Sequence, residues 1–317
     1  MVGGLGRNLR GLPVAALAVG VVLGSCTTSA PTVAPSLPPV AAAVPTSLAP
    51  SATSPAPTPT SGPSPIAAPS PSAVALPKPT AAPKPTLPPE FSLHVPVLTY
   101  HVIAPSSVAS SYSLPGLDLD PTVFDAQLRL LKASGWRSIT VDRLSRYLGA
   151  KQRPPRKTFV ITIDDGHDDG YVYALPILRK YGFVATYYVV VDRVGTDHNL
   201  TWDEIRTLRA NGMEIGNHTM EHLNLASHSA ARVADEIEMA QAVLADHLGV
   251  VPTTLAYPFW AYDGVVVRAV RAAGLRMAMA KGPVPYEARS DQYFIPRFAI
   301  YASLSPRQLL AKIAPYG

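Results

Sequence analysis

Two groups of residues in this chain have the types and spacing for hydrolytic chemistry. The first is Asp164-Asp165-Gly166, which closes a β-rich apolar run of Phe159, Val160, Ile161 and Ile163. Unpaired buried carboxylates are expensive. A strand that ends on two acids therefore fits the C-terminal end of a parallel strand, where the pair faces an active-site mouth. One carboxylate would hold a cation and its neighbour would act as a base. The second group is Gly216-Asn217-His218-Thr219-Met220-Glu221-His222, just past a predicted strand. Two histidines four apart share one face of a helical turn, which lets two imidazoles bind one cation. One Asp, two His and open water positions suit Zn²⁺, and would also accept Co²⁺, Ni²⁺, Mn²⁺ or Fe²⁺. The chemistry expected is metal-assisted hydrolysis.

The elements that must position these groups read as a strand–helix alternation. Val95 to Ile103 predicts a first strand ending near His101, followed by a Ser/Pro/Gly-rich loop over 104–118. Asp120-Pro121 caps a helix with Phe124, Leu128 and Leu131 at helical spacing. Short segments follow: a strand over 136–141, a helix over 142–149 and the strand 157–163 that carries the acids. Beyond them come a helix over 171–180, a strand over 183–191, and a helix over 201–210. That last helix has Thr201 and Glu204 spaced as a capping box. The strand 213–216 leads into the histidines. A long helix spans 229–248, and strands and helices alternate again through 253–257, 265–273, 276–280 and 294–300. Ser305 caps a final helix. About seven such units argue for an α/β fold with a parallel sheet or barrel.

The ends of the chain set its expected location. The chain has 317 residues. Arg7 and Arg10, the apolar run Leu12 to Leu23 and Gly24-Ser25-Cys26 follow the plan of a secretory signal. The run is too short for a comfortable membrane span. Leu23-Gly24-Ser25-Cys26 resembles a bacterial lipobox, which makes Cys26, the single cysteine, a lipidation site. Residues 27–90 hold 19 of the 34 prolines, among Ala, Ser and Thr. Such a stretch has too little to bury to offset its ordering entropy and reads as a disordered tether. The expected organisation is a lipoprotein signal over 1–26, a tether over 27–90 and a catalytic domain over 91–317. The product would be extracytoplasmic, lipid-anchored to the cell membrane or secreted. From Glu90 onward there are 23 Lys and Arg against 22 Asp and Glu, so this part is near +1 and has no long basic stripe. That balance argues against a nucleic-acid partner. A monomer is expected.

The ordered motifs carry a more specific resemblance. Thr162-Ile163-Asp164-Asp165-Gly166 resembles the Thr-Phe-Asp-Asp-Gly motif of the polysaccharide deacetylases, also called carbohydrate esterase family 4 or the NodB-homology domain. His218-Thr219-x-x-His222 resembles the family's His-Ser/Thr-x-x-His motif. Tyr257-Pro258-Phe259 resembles the third motif, as it stands in the poly-N-acetylglucosamine deacetylase branch. Pro96 to His101 resembles that branch's opening Tyr-His strand. The resemblance implies a distorted (β/α)7 barrel with its active site at the C-terminal ends of the strands. It implies Asp165, His218 and His222 as ligands of one divalent metal, Zn²⁺ with Co²⁺ or Ni²⁺ as alternatives. It implies Asp164 as the general base and the Phe259 backbone N–H as an oxyanion donor. Tyr257 and Trp260 are candidate substrate contacts. The implied reaction removes N-acetyl groups from an extracellular amino-sugar polymer such as peptidoglycan, poly-N-acetylglucosamine or a chitin-like chain.

The sequence departs from the family pattern in three places. The arginine that usually opens the third motif is replaced by Ala256, and Arg297 is the candidate to orient the base instead. The usual C-terminal Leu-x-His motif is absent, since no histidine follows His247. The poly-N-acetylglucosamine branch resembles a permuted version of the fold whose N-terminal Tyr-His strand supplies that acid. This resemblance implies His101 as the candidate general acid, with His167 behind it and Asp291 as a residue that could tune the acid. Trp260 stands where glycine is usual, either as a sugar-stacking platform or as a hydrophobic cap. Asp168 and Asp169 read as a charge pair at a helix N-terminus. Two rival readings share the scaffold: an O-acetyl esterase of the same family, and an inactive glycan-binding lipoprotein.

Overall fold

A computed structural model describes residues 91–112, 114–282 and 292–317. Cys26, the expected signal and tether, and Asp291 lie outside the described residues. Eight parallel strands organise the chain: β1 (Val97–Tyr100), β2 (Arg137–Ile139), β3 (Thr158–Ile163), β4 (Thr186–Val189), β5 (Glu214–Asn217), β6 (Thr254–Ala256), β7 (Met277–Lys281) and β8 (Ile295–Ala299). Seven of them close a ring in the order β1-β3-β4-β5-β6-β7-β8, and β8 returns to β1. This is the expected (β/α)7 barrel. Its distortion comes from β2. That strand pairs only with the first half of β3 (Arg137↔Thr158 to Ile139↔Val160), while β4 pairs with the end of β3 (Thr162↔Thr186, Ile163↔Tyr187). The seam between β3 and β4 is thus filled by β2 at its N-terminal end.

The helices surround the ring. They are α1 (Ser106–Ala109), α2 (Pro121–Ala133), α3 (Val141–Gly149), α4 (Leu175–Tyr181), α5 (Trp202–Ala210), α6 (Ala230–Leu248), α7 (Gly264–Ala272) and α8 (Pro306–Ile313). Their starts follow the expected chemistry. Asp120 caps α2 through the Thr122 N–H, and Thr201 and Glu204 complete a reciprocal capping box on α5. Gly249 ends α6 in the left-handed conformation at φ 66. The loop expected over 104–118 contains α1 and a further short turn over Ser110–Tyr112. Four residues are too few to show a helical period in sequence.

Strand alternation decides what points inward. Phe159, Ile161 and Ile163 face the helices within the largest apolar cluster. Val160 packs in a separate cluster with Val97, Tyr188, Ala256, Met277, Met279 and Ile295, which fills the barrel. Two-residue steps from Val160 through Thr162 carry Asp164 inward at the strand end. The same step from Ile295 carries Arg297 inward. Tyr188 crosses the barrel centre because β5 offers it a glycine. A Cβ on Gly216 would lie 2.4 Å from the Tyr188 ring, closer than any real contact, so only glycine fits.

Candidate active site

The site forms at the C-terminal mouth of the barrel, where β1, β3, β5, β6 and β8 end. Asp164 and Asp165 are adjacent and both buried, yet they have different partners. The chain leaves the strand at Asp165, which adopts φ 74, and continues through Gly166 at φ 76. This break ends the alternation and gives each carboxylate its own neighbours. Arg297 Nη1 donates to Asp164 Oδ1 at 2.7 Å and to Thr162 Oγ1 at 3.1 Å. Arg297 is 1% exposed, the largest fully buried side chain of the described residues. A buried carboxylate needs a partner of this kind to remain charged.

Asp165 faces the histidines. Its Oδ1 lies 3.3 Å from His218 Nε2 and 3.2 Å from His222 Nε2. Asp165, His218 and His222 offer one ligand atom each, all within 4.8 Å of one another. The histidine tautomer suits a cation as well. His218 Nδ1–H donates to the Ala256 carbonyl at 2.8 Å, because a carbonyl can only accept. The lone pair is then on Nε2, facing Asp165. Burial pushes Asp165 up, but the close approach of the His218 and His222 rings outweighs it and holds the carboxyl well below the usual range. Burial lowers His222 against the pull of Asp165. An ionised carboxylate beside a neutral imidazole is the donor set that binds a divalent ion.

The two histidines do not share a helical turn. His218 to His222 is a loop, with Thr219 at φ 68 and His222 at φ 62. Side chains shape it where a helix would use its own backbone. Asn217 Oδ1 accepts from the Thr219 N–H at 2.7 Å, and Asn217 Nδ2 donates to the Ile237 carbonyl on α6. Thr219 Oγ1 accepts from the His222 N–H at 3.1 Å. Buried Glu236 of α6 accepts from the Glu221 N–H at 2.9 Å. Neither Asn217 nor Glu236 stood out in sequence, although Asn217 sits beside His218.

His101 follows β1 directly and is buried at the same mouth. Burial lowers its pKa, and Asp164 and Asp165 oppose that shift. Its ring lies edge-on to Trp260, with centroids 6.0 Å apart. His167 is also buried, with Nε2 3.9 Å from Asp165 Oδ2. The third-motif loop turns through two left-handed residues, Phe259 at φ 54 and Trp260 at φ 59. Phe259 is 61% exposed, and its ring centroid lies 4.7 Å from that of His222. Trp260 is half-buried, and its ring lies 4.5 Å from the Arg297 guanidinium carbon. Tyr257, expected to contact substrate, is instead 1% exposed. Its hydroxyl donates to the Tyr293 carbonyl and its ring stacks on Tyr262. Tyr257 follows β6 and packs in the apolar cluster with Val266 and Val270 of α7.

Asp168 and Asp169 stand, as expected, at the N-terminus of a helical segment that begins at Gly170, but their side chains find partners elsewhere. Asp169 is fully buried, and its Oδ2 accepts from the Ile103 N–H at 2.5 Å, two residues past His101. Asp168 accepts from the Tyr112 hydroxyl at 2.6 Å. Burial raises Asp169 to about 7, against the opposing effect of the Ile103 hydrogen bond. The folded protein therefore keeps a proton on Asp169 that the unfolded chain releases nearer the ordinary value of about 3.9. The resulting stability is fully present below that value and is lost as pH rises through about 7. Asp169→Asn should remove this loss. Thermal melts should show the variant more stable than the parent at pH 8, by on the order of 4 kcal/mol. The two should converge near pH 4. Parallel melting curves across that range would show that Asp169 does not titrate in the window.

Comparison with known proteins agrees with this geometry. Residues 151–278 match the family model for polysaccharide deacetylase. A Bacillus subtilis protein named for the same family, YxkH, is 26% identical over 211 residues, 67% of this chain and 73% of its own length. A Staphylococcus aureus poly-β-1,6-N-acetyl-D-glucosamine N-deacetylase is 24% identical over 206 residues, 61% of this chain and 71% of its own length. The Streptococcus pyogenes deacetylase PplD, solved with acetate, superposes with a TM-score of 0.65 at 25% identity. That match covers 70% of this chain and 98% of PplD. Residues 151–278 are thus similar to a polysaccharide deacetylase domain of the NodB type, and the barrel has the fold of a solved deacetylase.

Proposed function

We propose that this domain removes N-acetyl groups from a polymer of amino sugars outside the cytoplasm, and that it needs a divalent metal to do so. The observation that carries the reading is the pairing at the barrel mouth. A carboxylate held by a buried arginine lies next to an Asp-His-His set with the geometry of a cation site. The named activity of the Staphylococcus aureus relative supports a poly-N-acetylglucosamine-like substrate over other acetylated polymers.

Each residue has a role in this reading. Asp165, His218 and His222 would hold the metal, Zn²⁺ or alternatively Co²⁺ or Ni²⁺. When bound, the metal polarises the acetyl carbonyl and favours ionisation of water. Asp164 takes the proton from the attacking water, and Arg297 aims the carboxylate that does so. The water oxygen bonds to the acetyl carbon, and the Phe259 N–H donates to the oxygen that gains charge. His101 gives a proton to the sugar nitrogen as the C–N bond breaks. The products are acetate and a free amine.

Acetate release tests the reading. The full chain, loaded with Zn²⁺ or Co²⁺, is given β-1,6- and β-1,4-linked N-acetylglucosamine oligomers, peptidoglycan and O-acetylated xylan. Release from an amino-sugar polymer is expected. Release from xylan alone would favour the esterase. Metal retention with no acetate from any substrate would leave the glycan-binding reading.

The chain start supports a second part of the proposal, lipid anchoring at Cys26. Membrane fractionation in a bacterial host should find the parent with the membrane and Cys26→Ser released from it. Equal retention of both would overturn the anchor.

A further inference from the structure

Arg297 is held by only part of its guanidinium. Nη1 donates to Asp164 and Thr162, while Nε and Nη2 are buried with no hydrogen-bond partner. A buried cation with unpaired edges is costly unless something else stabilises it. Two aromatic faces do so here. Tyr188 lies below, in the barrel centre, 5.6 Å from the guanidinium carbon. Trp260 lies closer, at 4.5 Å, on the solvent side. Indole is the strongest of the aromatic partners for a cation. Lys281 Nζ also lies 6.0 Å from the same ring.

Trp260 has a second neighbour in the site, the His101 ring at 6.0 Å. Among the described residues it is the aromatic side chain that meets both Arg297 and His101. Its placement requires an unusual backbone. Phe259 and Trp260 are consecutive non-glycine residues at positive φ, 54 and 59, and such strain persists where the surroundings hold it. The loop is turned so that the indole covers the arginine.

We propose that Trp260 is a positioning residue that acts through Arg297 and is not a sugar-stacking platform. The indole seals the guanidinium from water, so the hydrogen bond to Asp164 is the best one available to Arg297. Without it, water can solvate Nε and Nη2, and the guanidinium can swing outward from the carboxylate. The substrate contacts would remain and the aim of the base would not. This inference rests on the deacetylase reading.

Steady-state acetate release by the metal-loaded full chain tests it, with Trp260→Ala, Trp260→Leu and Trp260→Phe. Trp260→Ala should lower kcat roughly 10- to 30-fold, the range of a desolvated cation–π contact, with KM within about twofold. Trp260→Phe keeps an aromatic face and should recover most of the loss. Trp260→Leu keeps apolar cover without that face and should behave like the alanine variant. In an Arg297→Met background, Trp260→Ala should change the residual kcat less than about twofold. A rise in KM at unchanged kcat would identify a sugar platform and overturn the proposal alone. Full recovery by leucine, or an undiminished effect in the Arg297→Met background, would also overturn it. A parent that releases no acetate from any substrate would overturn the deacetylase reading, and this proposal with it.

Discussion

Asp164→Asn is expected to lower kcat/KM for acetate release by about 10³-fold, within the range that a positioned general base contributes. The amide keeps an acceptor for Arg297 Nη1, whose bond to Asp164 Oδ1 is 2.7 Å in the parent. It cannot take a proton from water at neutral pH. The Asp165, His218 and His222 set is untouched, so the variant should retain one equivalent of metal by elemental analysis. Loss of turnover with metal retained separates the base from the ligands, although the two carboxylates are adjacent in the chain. Near-parental activity in Asp164→Asn would remove Asp164 from the chemistry and leave Asp165 as the only working member of the pair.

Arg297→Met is expected to have the largest effect on stability, and a substantial one on rate. The two side chains of the Arg297–Asp164 pair are 0% and 3% exposed. Removing one partner of a buried pair leaves a charge with neither water nor counter-ion, at a cost of about 3–5 kcal/mol. For a domain of this size that lowers the melting temperature by on the order of 10 °C. Methionine matches the arginine stem and should still pack against Trp260 and Tyr188, so the loss should come from charge more than from volume. The double variant Asp164→Asn with Arg297→Met tests this. With both charges gone, it should melt above Arg297→Met alone. Turnover of the single variant should fall at least 10²-fold, because an unaimed base loses its geometric advantage. A melting temperature equal to the parent's would show that Asp164 finds another partner.

Much of the site was legible before any coordinates. Asp164-Asp165-Gly166 ends an apolar run that can only be a buried strand, and the end of a parallel strand is where a barrel opens. The strand–helix alternation argued for a parallel sheet or barrel because each strand is short, buried and followed by an amphipathic helix, and the family resemblance implied the barrel. Caps at Asp120, Thr201 and Ser305 were readable because capping is local chemistry within four residues. The His218–His222 spacing was legible as a pair, but its helical reading failed. Spacing alone does not distinguish a helical turn from a loop built by Asn217 and Thr219.

What only the tertiary structure decided is which distant residues meet. Arg297 and Asp164 are 133 positions apart. Ring closure through β8 and β1 brings them together, and strand parity turns both inward. The same closure places Trp260 over Arg297 and His101 at one mouth. The structure moved Tyr257 into the core and buried Asp169 behind the Ile103 N–H. Sequence set the kinds of groups and the order of elements, because capping, periodicity and motif spacing act over a few residues. Partner choice among buried charges depends on which face each strand presents once the barrel closes, and no local pattern carries that information.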